Sequence, residues 1–262
     1  MISAQGGVLS VWAHPDDEAI CAAGTMVLCA ARGEPVHVVC ATRGEQGPIS
    51  DAALATRDTL ASVRERELYD SCALCGAYEP EFLDLPDGGV PLSQHADALH
   101  KLVISIRRLR PRVLLGFGPD GLYGHPDHTV IGELTDRARR DAADPHVSTP
   151  GLEPYRVPRH FHAVWTREQV RELLAVLEAQ GTKAQLWNLT PDQFPRAEQD
   201  VTARVDVRSV IAQKLQAIRA HRTQLKADHA LRVIDEASAL HAIGIERFRC
   251  TDNLPGDPLT RE

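Results

Sequence analysis

The chain has 262 residues, 43% hydrophobic and 25% charged, which is ordinary globular composition with enough apolar material for a full core. Lys and Arg number 29 against 36 Asp and Glu, and the resulting −7 opposes capture of nucleic acid or of an anionic membrane. No basic segment leads into an apolar run with a cleavage site, and the longest apolar run, residues 19–31, is interrupted at Gly24 and Thr25 and shorter than the ~20 residues that cross a bilayer. The expectation is a cytoplasmic protein with no nucleic-acid partner and no membrane insertion, with homo-oligomerisation left open.

Taken in chain order, residues 8–13 read as a strand, 19–32 as a helix and 35–42 as a second strand. A helix over 60–74 and a strand over 81–85 follow. The helix over 94–109 places Leu99, Leu102, Val103 and Ile106 on one face. Residues 113–117 form the next strand, ahead of a helix over 129–140. This alternation predicts an α/β fold with a mostly parallel sheet and helices on both faces. Such sheets bind ligands beyond the carboxyl ends of their strands, where the strand order reverses.

Residues 141–159, rich in Pro, His and Thr, read as a long surface loop at the rim of that site. A strand over 161–166 and helices over 167–178 and 207–221 complete the readable pattern, whereas 187–206 has no clear period. The basic run Arg107, Arg108, Arg110 and Arg112 falls at a helix end, where cations complement exposed carbonyls. Six scattered cysteines, Cys72 and Cys75 among them, sit in apolar patterns and read as buried thiols rather than a disulfide framework or a zinc half-site.

Two clusters carry chemistry. His14-Pro15-Asp16-Asp17-Glu18 follows the first strand, and Gly124-His125-Pro126-Asp127-His128 follows the strand over 113–117 and a glycine-rich turn. A single His-Pro-Asp step is a common turn, and Asp16 or Asp17 could simply cap the next helix. Two such clusters at the ends of different strands argue for a shared site. Histidines with a carboxylate suit a catalytic zinc that keeps one position open. His14, Asp17 and His128 would supply the ligands, leaving Asp16 and His125 for proton transfer.

With Thr42-Arg43-Gly44-Glu45 between them, these clusters resemble the LmbE/PIG-L family of zinc-dependent N-acetylglucosaminyl de-N-acetylases. The resemblance runs from about residue 8 to 130 and returns weakly over 214–224. It implies one Zn2+ per chain on His14, Asp17 and His128, with Asp16 as general base. His125 would be the general acid or a stabiliser of the tetrahedral intermediate, oriented by Asp127, with Tyr123 reaching the oxyanion. Arg64 and Asp87 would contact substrate, and Glu45 and Arg43 would frame the pocket. His221 would bound the pocket or cap its helix.

The implied architecture is one Rossmann-like domain over 1–262, with 1–140 as the metal-bearing core and 141–262 supplying a rim loop and completing elements. The implied reaction is removal of an N-acetyl group from an amino-sugar small molecule by metal-activated water. Alternatives are an amidase acting on thiol conjugates, a deacetylase of another amino-sugar metabolite and a non-enzymatic metal-binding regulator. A dinucleotide-dependent dehydrogenase is excluded, because the first strand leads into His-Pro-Asp-Asp and not G-x-G-x-x-G. Substrate choice is expected to lie in 47–57 and 141–159.

Overall fold

A computed structural model describes residues 6–89 and 94–252. Strand β1 (Val8–Trp12) is buried along its whole length. Apart from Ser10, which donates to the His37 carbonyl, it is apolar on both faces, because strands of a doubly covered sheet have no solvent face. Helix α1 (Asp17–Ala31) is equally immersed, with 12 of its 15 residues buried. The chain continues through β2 (Val36–Cys40), α2 (Leu60–Leu74), β3 (Glu81–Phe82), α3 (His95–Leu109) and β4 (Val113–Gly116). A short turn α4 (Gly121–Gly124), α5 (Pro126–Ala143), β5 (Arg159–Val164) and α6 (Arg167–Ala179) follow. The last elements are β6 (Ala203–Asp206), α7 (Ile211–Ala220), α8 (Ala230–Val233), α9 (Glu236–Ala242) and β7 (Ile245–Cys250).

The seven strands form one sheet in the order β3-β2-β1-β4-β5-β7-β6. β3, β2, β1, β4 and β5 are mutually parallel, and only β7 runs against its neighbours. The chain winds outward from β1 through β2 to β3, then crosses back to β4. The strand order therefore reverses between β1 and β4, and the crevice opens at their carboxyl ends. A single apolar cluster runs from Val8 to Phe248, so the 203–250 segment shares the core of the first half.

Several boundaries differ from expectation for local reasons. β3 ends at Phe82 rather than at residue 85, because Asp84 turns into a left-handed conformation at φ 61°. α5 begins at Pro126, not 129: His125 caps it and the proline takes the first position, where a missing N–H costs nothing. The helix expected over 207–221 opens as a 3-10 turn before α7. β6 and β7 carry no clear strand signal, since ARVD is only four residues long and IERFRC holds three charges in six, one of them the buried Glu246.

The loop 141–159 does not form a rim of the site. α5 runs antiparallel to the strands, so the chain leaving it emerges at their amino ends. There Arg107, buried at the end of α3, donates to the carbonyls of Asp141, Ala142, Asp144 and Val147 and to the hydroxyl of Thr149. The other arginines of the basic run are also engaged within the chain: Arg108 with Glu81, Arg112 with Glu34 and Arg110 over the Tyr155 ring. The described cysteines are unpaired, and Cys72 and Cys75 are buried with thiol pKa values raised by burial. Among the described residues no helix is long and apolar enough to cross a membrane.

Candidate active site

The chain leaves β1 at Trp12 and places His14 and Asp17 at the mouth of the crevice, while the β4–α5 connection brings His128 in on the first turn of α5. His14 Nδ1 lies 3.3 Å from His128 Nε2. Asp17 closes the triangle, with Oδ1 3.3 Å from His128 Nε2 and Oδ2 3.5 Å from His14 Nδ1. Ligands about 2.0–2.1 Å from a tetrahedral ion sit roughly 3.3–3.4 Å apart, so these three can hold one metal ion. His125 supplies a further ring nitrogen within 4.8 Å of donor atoms of His14 and His128.

The outer contacts of the imidazoles fix their orientation. His128 Nδ1 is 3.2 Å from the Gly121 carbonyl and the ring stacks on Phe117 at 4.0 Å, which leaves Nε2 facing the cluster. Burial drives the His128 pKa down to about 3, so it presents a neutral lone pair. His14 Nε2 faces Asp87 Oδ1 at 3.1 Å and Asp127 Oδ2 at 3.3 Å. Burial opposes a charge on His14, but Asp127, Asp17 and Asp87 outweigh it and the pKa rises.

The partner of the Asp127 carboxylate differs from the one expected. The Asp127 carboxylate grips His14 and the backbone N–H of Gly88, not His125. What Asp127 offers His125 is its backbone N–H, which donates to His125 Nδ1. Asp87 shares the grip on His14, so it stands behind a candidate ligand as well as on the wall of the pocket.

Asp16 occupies an unusual position. Its backbone sits at φ 126° and its side chain makes no capping bond to α1, so the capping alternative fails. A non-glycine residue held there costs on the order of 1–3 kcal/mol and requires over-determination by its surroundings. Three contacts provide it. The Asp16 N–H donates to Glu18 Oε2 at 3.0 Å, and Arg64 donates to the Pro15 carbonyl at 2.5 Å and to Asp16 Oδ2 at 3.2 Å. Burial pushes the Asp16 pKa up to about 7, Arg64 pulling it back and Asp17 adding to the rise. Burial also opposes ionisation of Asp17, but His128 and His14 hold its carboxyl well below the usual range. Adjacent carboxylates are thus driven in opposite directions, the pattern of an acid–base assignment.

Arg64, expected to touch substrate, lines the cavity but is 3% exposed, with hydrogen bonds to Asp16 and to the Pro15 and Gly44 carbonyls. Gly44 is essential to that approach: at φ 63° a Cβ would lie 2.1 Å from the guanidinium. Arg43 faces away from the pocket, paired with Glu65 and Asp84 and stacked over Phe82. Successive residues of an extended segment point to opposite sides, and Thr42 takes the inner one by bonding the Ala13 carbonyl. Glu45 acts one step out, accepting the Asp87 N–H at 3.0 Å. Tyr123 does line the pocket, half-buried, its ring 5.3 Å from that of His128.

His221, expected to bound the pocket or cap its helix, follows α7 directly and turns its ring to Glu18. His221 Nε2 lies 2.7 Å from Glu18 Oε1, which also accepts from Ser71, so a buried ion pair underlies the Asp16 backbone. Gln46, Gly47, Pro48, Trp187, Phe194 and Gln224 join the cluster in lining a cavity of about 300 Å³. Trp187 and Phe194 come from the stretch without a readable period.

A His/Asp cluster at the switch point of a parallel sheet, with paired carboxylates beside it, defines an α/β amide hydrolase able to hold a metal ion. The chain belongs to the PIG-L family, described as GlcNAc-PI de-N-acetylase, whose model matches residues 9–139. A 1D-myo-inositol 2-acetamido-2-deoxy-alpha-D-glucopyranoside deacetylase from Thermobispora bispora is 32% identical, covering 95% of this chain and 89% of its own. The corresponding protein of Nocardia farcinica is 36% identical over 86% of this chain and 82% of its own. An N,N'-diacetylchitobiose deacetylase from Pyrococcus horikoshii superposes with a TM-score of 0.69 at 25% identity, covering 95% of this chain and 84% of that one. A 4-carboxy-2-hydroxymuconate hydratase from Pseudomonas putida shares the fold alone, at TM-score 0.70 and 21% identity, covering 98% of this chain and all of that one.

Proposed function

We propose that the chain removes the acetyl group from an N-acetylglucosaminyl inositol or a close amino-sugar relative, with zinc as its resident metal. The observation that carries the reading is the triangle of His14, Asp17 and His128 donors beside a carboxylate whose pKa is pushed up to about 7. Zinc on that triangle supplies a Lewis acid for the acetamide carbonyl and acidifies water.

The chain's own groups carry the protons. Asp16 takes a proton from the attacking water and passes it to the departing nitrogen, so that water and amide become acetate and a free amine. A pKa near the working pH suits both halves of that transfer. Burial and then the charge of His14 lower the pKa of His125, which favours its role as stabiliser over that of acid. Its Nδ1 accepts from the Asp127 N–H, so its proton sits on Nε2, free to donate to the developing oxyanion. Tyr123, kept protonated because burial raises its pKa, is a second donor. Asp127 and Asp87 orient His14, and Arg64 holds Asp16 in register. The unpaired cysteines fit a reducing, cytoplasmic setting.

The test is acetate release from N-acetylglucosaminyl inositol, N-acetylglucosaminyl malate, diacetylchitobiose and a thiol conjugate by zinc-loaded protein. Turnover of an acetylated amino sugar is expected. Cleavage of the thiol conjugate alone, with no acetate released, would overturn the reading.

A further inference from the structure

A second set of metal-type donors lies outside the catalytic cluster, between β5 and α5. His160 and His162 alternate along β5 and so share one face of the sheet, toward α5. Asp136 meets them from α5, eight residues beyond His128 and hence about 12 Å further along the helix. His162 Nε2 and His160 Nδ1 lie 3.1 and 3.3 Å from the same oxygen, Asp136 Oδ1. These separations match those of the catalytic triangle, and the donor types are the same two imidazoles and one carboxylate.

The protonation states suit a cation. Burial drives the His160 pKa down to about 3, leaving a neutral imidazole at pH 7. Burial opposes ionisation of Asp136, but the hydrogen bond from His162 and the neighbouring His160 keep its pKa below the usual value. One donor atom from each of Asp136, His160 and His162 lies within 4.8 Å of the other two, close enough to share one ion. Arg139, one of the cations acting on His160, is tied to Asp252 at 2.6 Å. Asp136 is one-third exposed, so the group is open to solvent on that side.

We propose that Asp136, His160 and His162 form a second divalent-cation site, of the imidazole and carboxylate class that suits zinc, completed by water. Its role is to fasten elements that frame the pocket. α5 carries His128 in its first turn, and β5 leads into Trp165 on the pocket wall. The loop toward Tyr123 and His125 also rests on this group: a Cβ on Gly118 would lie 3.2 Å from His162 Nδ1. The inference stands on these side chains alone and does not depend on the substrate.

Zinc per chain, measured by elemental analysis after loading the full chain and removing excess metal, tests it. The expected contents are about two equivalents for the wild type and about one each for Asp136→Asn and His14→Ala. Asp136→Asn keeps acetate release within about twofold of wild type, since the site touches none of the reacting groups, and loses instead the stabilisation against urea that zinc gives the wild type. Cobalt in His14→Ala shows tetrahedral d–d absorption that His162→Ala, added in the same chain, abolishes. One equivalent in the wild type, with none in His14→Ala and no cobalt spectrum there, would overturn the proposal.

Discussion

Arg64 at the carboxyl ends of the strands and Arg107 at their amino ends are each 3% exposed, and both brace loops through backbone carbonyls. Arg107 makes five hydrogen bonds, enough for all five of its N–H groups, with four carbonyls and a threonine hydroxyl as acceptors. Arg64 makes three, one of them to the strained Asp16, and leaves its Nε buried and unpartnered. The same side chain in the same degree of burial is saturated at one end and under-satisfied at the other. The amino end is built for stability. The carboxyl end accepts a backbone outlier and an orphan donor to hold one carboxylate beside a metal-type cluster.

Removing Arg107 is the largest break expected in that contrast. Arg107→Ala strips five acceptors of their donor and should lower unfolding free energy by about 3 kcal/mol or more, read by urea denaturation. Acetate release per folded molecule should be unchanged, and a comparable loss of turnover would erase the division between the two ends.

Arg64→Lys keeps the charge but loses the planar fork that reaches Asp16, Pro15 and Gly44 together. The expected cost is about 10–100-fold in kcat, with a much smaller loss of stability. Unchanged kcat would show that Asp16 keeps its register without the fork.

A third arm uses His229, 2% exposed, beside the cavity that adjoins His125. Burial lowers its pKa from 6.5 to about 4. Between those values the unfolded chain binds a proton that the folded chain refuses, so the stability is fully present above pH 6.5 and lost as pH falls. His229→Gln should make unfolding free energy less steep over that range, by up to about 1.4 kcal/mol per pH unit. Equal slopes in the two proteins would remove His229 from the acid response.

How much of this was legible in the sequence follows from the range of the interactions. β1, β2 and β4 are apolar apart from Ser10, His37 and the closing Gly116, and both His-Pro-Asp clusters lie within a few residues of a strand end, so local pattern suffices to place them. The grip of Asp127 on His14 spans 113 residues and that of His221 on Glu18 spans 203, distances over which spacing says nothing. Arg64 was expected at the substrate, but its Arg-Glu-Arg-Glu surroundings cannot show that the guanidinium is buried, which depends on Gly44 and the Pro15 carbonyl. The rim assigned to 141–159 failed because helix direction, not composition, decides which end of a sheet a loop occupies. The β6–β7 pair escaped because one strand is only four residues long and the other holds three charges in six.

The proposed mechanism has Asp16, held by Arg64 beside the His14, Asp17 and His128 triangle, move the proton of the reaction. Its most direct test is zinc content and acetate release measured on the same preparation of Asp16→Asn. Zinc content equal to wild type is expected, with turnover reduced on the order of 10³-fold. Turnover within a few-fold of wild type at equal zinc content would contradict it.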